Sequence, residues 1–389
     1  MNTSPSPFAQ PPKSLYIHWP FCAFKCHFCD FISFEKHEHF HDIYHKALCN
    51  EITHFAKSMP DPTSYEIESI FFGGGTPSLY PLKLLRALFG ILHDHYNLKN
   101  IKEITIETNP ADITEEKVAT WQELGINRLS LGVQILDNQA LYKLNRRQRN
   151  ADVHRAIKLT PHYFKNISVD LMLGIPDVSE ATWTQTIEQV ITWPITHISM
   201  YFLTIHEKTP LFFKTQQNII SNWQDELLLE TYQKSVDFLD AHGFKQYEIS
   251  NFAQPGYESI HNQNYWNRQP FRGFGLNAAS FDGASRYFNE KNLENYLNKA
   301  TSSNGAAYSF VEKLTDEQAF TETLMLGLRQ AKGVSLHDVV YSLKEEKRKH
   351  FYEKLAELKA EGFIEDRNET IRLTHKGIIL ENEIVLKLL

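Results

Sequence analysis

Short runs rich in Ile, Val, Leu, Phe and Tyr alternate along the chain with longer segments of helical periodicity. The runs SLYIHW (14–19), ESIFF (68–72), EITIET (103–108), RLSLGV (128–133), NISVDLML (166–173) and HISMYFL (197–203) each predict a buried parallel strand. Apolar positions at helical spacing predict helices within 35–57, 80–95, 114–124, 137–159, 179–192 and 222–242. Six strands joined by helices predict an α/β fold of right-handed βαβ units, either a partial barrel or an open doubly wound sheet. In both layouts chemistry gathers at the C-terminal ends of the strands. CAFKCHFC (22–29), GGGTPS (73–78), ETNP (107–110), GVQ (132–134) and DLMLGIP (170–176) fall at the ends of the first five strands, so all five are expected around one mouth.

After YEISNFA (247–253) the pattern turns aromatic and Gly/Asn-rich, in HNQNYWNRQPFRGFGLNAASFDG (261–283), which reads as a functional loop or irregular segment. ATSSNGAAYS (300–309) is the best linker. From Leu314 onward, helical segments at 316–331, 335–341 and 344–361 precede a strand-turn-strand reading, FIEDRNETIRLT (363–374), and a last helix. Three helices and a hairpin predict a winged-helix-like module. The expected organisation is a disordered leader (1–13), a barrel (14–253), a motif segment with linker (254–305) and the C-terminal module (306–389).

Composition narrows the class. With 389 residues the chain exceeds one usual core, and 42% hydrophobic and 22% charged residues are ordinary for a globular protein. The net charge of -7 argues against a nucleic-acid partner, which needs a basic face, despite a local patch at Arg146, Arg147 and Arg149. The leader MNTSPSPFAQPPK has no basic stretch followed by an apolar one, so a cytoplasmic protein with reduced thiols is expected.

Three of the four cysteines, Cys22, Cys26 and Cys29, fall within eight residues, which reads as a metal site. Structural zinc prefers four ligands, commonly in two separated pairs. His18 and His27 are available to complete such a shell, so zinc and unligated thiols remain alternatives. Three thiolates suit a 4Fe-4S cube better, because they hold three irons and leave the fourth open. Cys49 stands alone in a helical pattern and reads as a buried thiol.

C-x-x-x-C-x-x-C just after a first strand resembles the signature of radical S-adenosylmethionine (SAM) proteins. In that family SAM chelates the open iron, and one electron from the cluster cleaves it to a deoxyadenosyl radical. YIHWPFCAFKCHFCDF, GGGTP, IETNP, GVQ, DLMLGIP and LTIHEKTP together resemble the oxygen-independent coproporphyrinogen III oxidase-like branch, over nearly the whole chain and including MLGLRQAKGV (325–334). Within it, the heme chaperones called HemW carry C-D-F after the third cysteine and a later H-N-x-x-Y-W, matched here by Cys29-Asp30-Phe31 and by His261 to Trp266. The coproporphyrinogen dehydrogenases have a further cysteine where this chain has Phe31, and a longer N-terminal extension.

The resemblance implies a partial (β/α)6 radical SAM barrel followed by a smaller, winged-helix-like helical domain. It implies a 4Fe-4S cluster on Cys22, Cys26 and Cys29, SAM beside Tyr16, Phe28, Gly74, Gly75, Thr76 and Glu107, and a second SAM position lined by Gln134, Arg146 and Asp170. It also implies heme bound through His261, and as partners a recipient hemoprotein, such as a membrane respiratory enzyme, and a reductant protein.

Each residue has a plainer reading. The glycines can simply make a tight turn. Asp170 and Arg146 can form a structural ion pair, and Tyr16, Phe28, Tyr265 and Trp266 can be packing aromatics. The chain departs from the family pattern at Asn145-Arg146-Arg147-Gln148, close to the dehydrogenase form, at Leu276-Asn277-Ala278-Ala279-Ser280, and at His206-Glu207-Lys208. Three functions stand: a heme chaperone, an oxygen-independent coproporphyrinogen III dehydrogenase, and a radical SAM enzyme of another kind, such as a methyltransferase using two SAM molecules.

Overall fold

The computed structural model describes residues 8–217, 219–302, 305–341 and 343–389. Six parallel strands lie side by side in chain order: β1 (Ser14–Trp19), β2 (Ser69–Gly74), β3 (Glu103–Thr108), β4 (Arg128–Gln134), β5 (Asn166–Leu173) and β6 (His197–Phe202). Side chains alternate between the faces of a strand, and here the two faces differ in chemistry. Leu15, Ile17 and Trp19 of β1, Ile104 and Ile106 of β3, and Leu129, Leu131 and Val133 of β4 are buried in one core with Leu48, Leu85, Leu88 and Val118 of the surrounding helices. The opposite parity holds Tyr16, His18, Ser69, Thr105, Glu107, Ser130, Asp170 and Ser199. The strands expected to be buried are therefore apolar on their outward face only. Barrels packed solid fill this inner face with branched side chains; small and polar residues leave a lumen.

The segment expected to be irregular is ordered. It contributes a helix, Ile260–Trp266, and three strands, Phe271–Phe274, Ala279–Phe281 and Ser285–Asn289, to the same sheet. Phe271–Phe274 pairs parallel with β1, and the others continue antiparallel. Tyr308–Lys313, placed by the sequence in the C-terminal module, pairs with Ser285–Asn289 as an edge of this twelve-stranded sheet. At the other edge, Asn251–Ala253 and Lys245–Glu248 follow β6. Linker residues 303 and 304 lie outside the described residues.

The leader is fixed from Phe8 onward: its ring packs 5.2 Å from Phe55 and 5.3 Å from Tyr287, and Ala9 N donates to Asp282 at 3.0 Å. Residues 1–7 lie outside the described residues. The C-terminal module has helices Asp316–Leu328, Leu336–Val340 and Glu345–Ala360 and a hairpin of Ile364–Arg367 with Thr370–Leu373. Its separate core includes Phe320, Leu324, Phe351, Leu355 and Ile371. Arg329 joins it to the barrel, with Nε 2.5 Å from the buried Glu248 carboxylate and its guanidinium 4.6 Å over Trp266. Among the described residues no helix is long and apolar enough to cross a membrane.

Candidate functional site

At the C-terminal end of β1 the chain pairs Phe21–Cys22 with Phe34–Glu35, and this short ladder closes the cysteine loop. Cys22, Cys26 and Cys29 are half-buried, free of disulfides, and line one cavity of about 200 Å³. Thr76 Oγ1 donates to Cys22 Sγ at 3.3 Å and Arg146 Nη1 to Cys26 Sγ at 3.5 Å. Burial pushes the Cys29 thiol up to about 11. Among the described residues no three His, Cys, Asp or Glu groups converge on a single metal ion. Cys49 stands apart beside His45, its Sγ 3.6 Å from Nε2, and burial pushes its thiol up to about 12.

The same cavity is bordered by Gly74, Gly75, Thr76, Glu107, Gln134, Arg146 and Asp170. Gly74 has φ +115°, and a Cβ there would meet the His18 ring at 2.6 Å; one on Gly75 would meet the Pro20 backbone at 2.8 Å. The turn therefore requires glycine for the fold itself. Gln134, a non-glycine at φ +70°, ends β4 where the register to β5 shifts. Strain of this kind at a strand end is common beside binding sites.

Glu107 accepts from Gly74 N at 3.3 Å. Burial, and then repulsion from Asp170, push it up to about 8. Asp170 is raised by burial too and is held by Ser130 Oγ at 2.9 and 3.0 Å. Two neighbouring carboxylates that resist ionisation together favour a cationic guest. The Asp170–Arg146 ion pair weighed from sequence does not form: Arg146 Nη2 donates to Gly132 O at 2.8 Å instead. Arg147 pairs with Asp112, and buried Gln148 bonds Gly132 O and Asn109.

Below this cavity a second chamber of about 570 Å³ runs down the lumen, and Phe28, Cys29, Phe31, Glu107, Gln134 and Asp170 line both. Tyr16, Phe71, Tyr201, Tyr265 and His261 wall its depth. The chamber reaches the N-terminal ends of the strands, where the helix Ile260–Trp266 closes the barrel. Glu103 fixes that helix by accepting from Ile260 N (2.8 Å), His261 N (3.3 Å) and Ser259 Oγ (3.1 Å); a carboxylate at a helix N-terminus satisfies donors left without helical partners.

His261 thus belongs to a helix at the floor, not to a loop, and is 1% exposed. Its ring stacks 5.0 Å from Phe71, its Nδ1 is 2.9 Å from Ser69 Oγ, and its Nε2 is 2.8 Å from the Tyr265 hydroxyl. Ser69 Oγ donates to Ser14 Oγ at 2.9 Å, so it accepts from Nδ1–H. Nε2 then carries the lone pair that receives Tyr265. Burial pushes the imidazole down to about 3, so it is neutral. Trp266, outside the chamber, docks the C-terminal module.

Every site residue expected from sequence lines one of the two cavities. Sequence reasoning missed Arg128, Ser130, Ser199 and Tyr201 in the lumen, and Glu103 under it. Their signal was the polar parity within otherwise apolar strands.

A cysteine loop after the first strand of a six-stranded parallel barrel, followed by a winged-helix-like module, defines a radical SAM architecture. The family model of the Radical SAM superfamily matches residues 16–190, and that of the HemN C-terminal domain matches residues 314–380. The chain is 32% identical to the Bacillus subtilis protein named heme chaperone HemW, over 96% of this chain and 98% of that one. It is 30% identical to mouse radical S-adenosyl methionine domain-containing protein 1, mitochondrial, over 100% and 90% of the two chains. The solved structure of Escherichia coli coproporphyrinogen III oxidase (HemN) shares the fold, with a TM-score of 0.84 at 22% identity over 98% of this chain and 91% of that one. The chain belongs to the HemW family of radical SAM proteins.

Proposed function

We propose that this protein is a heme-binding chaperone on a radical SAM scaffold, passing heme to a recipient hemoprotein. The observation that carries the reading is a neutral imidazole at the foot of a chamber walled by aromatic rings, held between the Ser69 and Tyr265 hydroxyls. Heme iron takes a histidine in this state, and a hydrogen bond at the second nitrogen is the usual orienting device. Ligation exchanges the Tyr265 hydrogen bond for the metal. Relatives named heme chaperone support the same reading.

Cys22, Cys26 and Cys29 would hold the 4Fe-4S cluster, which when bound supplies one-electron reduction of SAM. Gly74, Gly75 and Thr76 would border the amino end of SAM, Glu107 would receive its positive charge, and Tyr16 and Phe28 would wall it. Gln134, Arg146 and Asp170 would serve a second SAM position. A reductant protein is required as electron source. Phe31, 63% exposed at the mouth, offers an apolar rim where the dehydrogenases carry a cysteine.

The test is anaerobic reconstitution, then heme titration and coproporphyrinogen III turnover on one sample with SAM and reductant. The expected result is about one heme per chain and no protoporphyrinogen IX. Multiple-turnover decarboxylation would replace the chaperone reading with the dehydrogenase one.

A further inference from the structure

Of the buried arginines among the described residues, Arg272 has charged and polar partners, although its Nε is enclosed without an acceptor. Arg272 pairs with Glu51 at 2.6 Å, bonds Ser280 Oγ at 2.8 Å, and lies over the rings of Phe55, Phe274 and Tyr308. Arg128, the first residue of β4, is equally buried at 2% exposure, yet its guanidinium has no hydrogen-bond or ion-pair partner among the described residues, and its Nε is enclosed without an acceptor. The side chain lines the second chamber. A guanidinium brings five donors and stays charged, and a buried charge is normally paired.

The nearby acids are committed elsewhere. Glu103 is used by Ser259, Ile260 and His261, Asp170 by Ser130, and Glu107 by Gly74 N. The other titratable groups at the foot are His197, His261 and Tyr247. Both histidines are neutral, because burial and the Arg128 charge lower them, and burial keeps the Tyr247 hydroxyl protonated. Glu107 and Asp170 feel the Arg128 charge, but among the described residues no carboxylate forms an ion pair or hydrogen bond with it, and the side chain borders the chamber.

The geometry points to Arg128 as a carboxylate anchor at the foot of the chamber, pairing with a carboxylate arm of the chamber's ligand. This deepens the heme reading and rests on it: the arm is a propionate of the tetrapyrrole. The same carboxylate chemistry occurs in the amino-acid end of SAM, so the test separates the two.

Hemin and hemin dimethyl ester, whose propionates are neutral, are titrated in the same cosolvent into wild-type protein and into Arg128→Met. Wild type should bind hemin about tenfold or more tighter than the ester, as expected for loss of a paired buried charge. Arg128→Met should bind hemin and ester alike, both weakly, and should melt no lower than wild type without ligand, because an unpaired buried cation is gone. Equal affinity of wild type for hemin and ester overturns the inference without any variant. So does wild-type hemin affinity in Arg128→Met, or a loss of SAM binding in that variant while hemin binding persists. Failure of wild type to bind hemin at all overturns the heme reading and this inference with it.

Discussion

The two ends of the barrel are built in opposite ways. The mouth comes from contiguous words, each placed at the end of one strand: the cysteine loop, Gly74-Gly75-Thr76, Glu107, Gln134 and Asp170. The floor is assembled from the first residues of strands far apart in sequence, Ser14, Ser69, Glu103, Arg128 and His197, around the helix Ile260–Trp266. At the mouth, backbone and thiols face an opening. At the floor, nearly every polar atom is consumed by another, and Arg128 stands out against that economy. The mouth thus presents thiols and bare backbone to a cavity, whereas the floor is a hydrogen-bonded scaffold from which His261 and Arg128 line the chamber.

Substitutions at the two ends should therefore fail differently. The largest effect belongs to the mouth. Cys22→Ala, Cys26→Ala or Cys29→Ala should abolish the absorption and electron-paramagnetic signal of a reconstituted cluster, while Cys49→Ala keeps both. Full iron and sulfide content in Cys26→Ala would remove the distinction between the loop thiols and Cys49.

Next comes the floor. Glu103→Ala strands Ile260 N and His261 N inside the protein, and should lower stability by about 2–3 kcal/mol in denaturant titration while the folded protein still takes up a full cluster. If its loss of stability were below ~0.5 kcal/mol, the floor helix would not be held as described.

A smaller effect tests the electrostatics between the ends. Glu107 titrates at about 8 when folded and at roughly 4.3 unfolded. A raised acid costs nothing below its unfolded value, and destabilises progressively as pH rises through its folded one. Glu107→Gln should thus raise the unfolding free energy of the ligand-free protein at pH 9 by about 1–3 kcal/mol, and leave it nearly unchanged at pH 4. A pH-independent difference would contradict the shift.

The same contrast explains what was legible in the sequence. Strand runs and mouth motifs lie in one stretch each, so periodicity and spacing pointed to the barrel and the cysteine loop, while the other expected site residues, implied by the family resemblance, line its two cavities. HNQNYW was legible as a motif but not as a place. Its partners Glu103 and Ser69 are more than 150 positions away, and only the folded sheet brings them together. The irregular reading of 261–283 failed for a related reason: short strands such as Phe271–Phe274 are stabilised by pairing with β1 and not by local pattern. Gly74 teaches the converse. A bulky residue there cannot report on SAM alone, because positive φ and the His18 ring already require glycine.

The account is tested most directly by heme absorption titrations of wild type, His261→Ala and Tyr265→Phe. Tyr265→Phe frees the Nε2 lone pair, so its affinity for heme should equal or exceed that of wild type, while His261→Ala should bind at least about tenfold more weakly and lose the histidine-ligated spectrum. Identical titrations and spectra for wild type and His261→Ala would contradict ligation at the floor of the chamber.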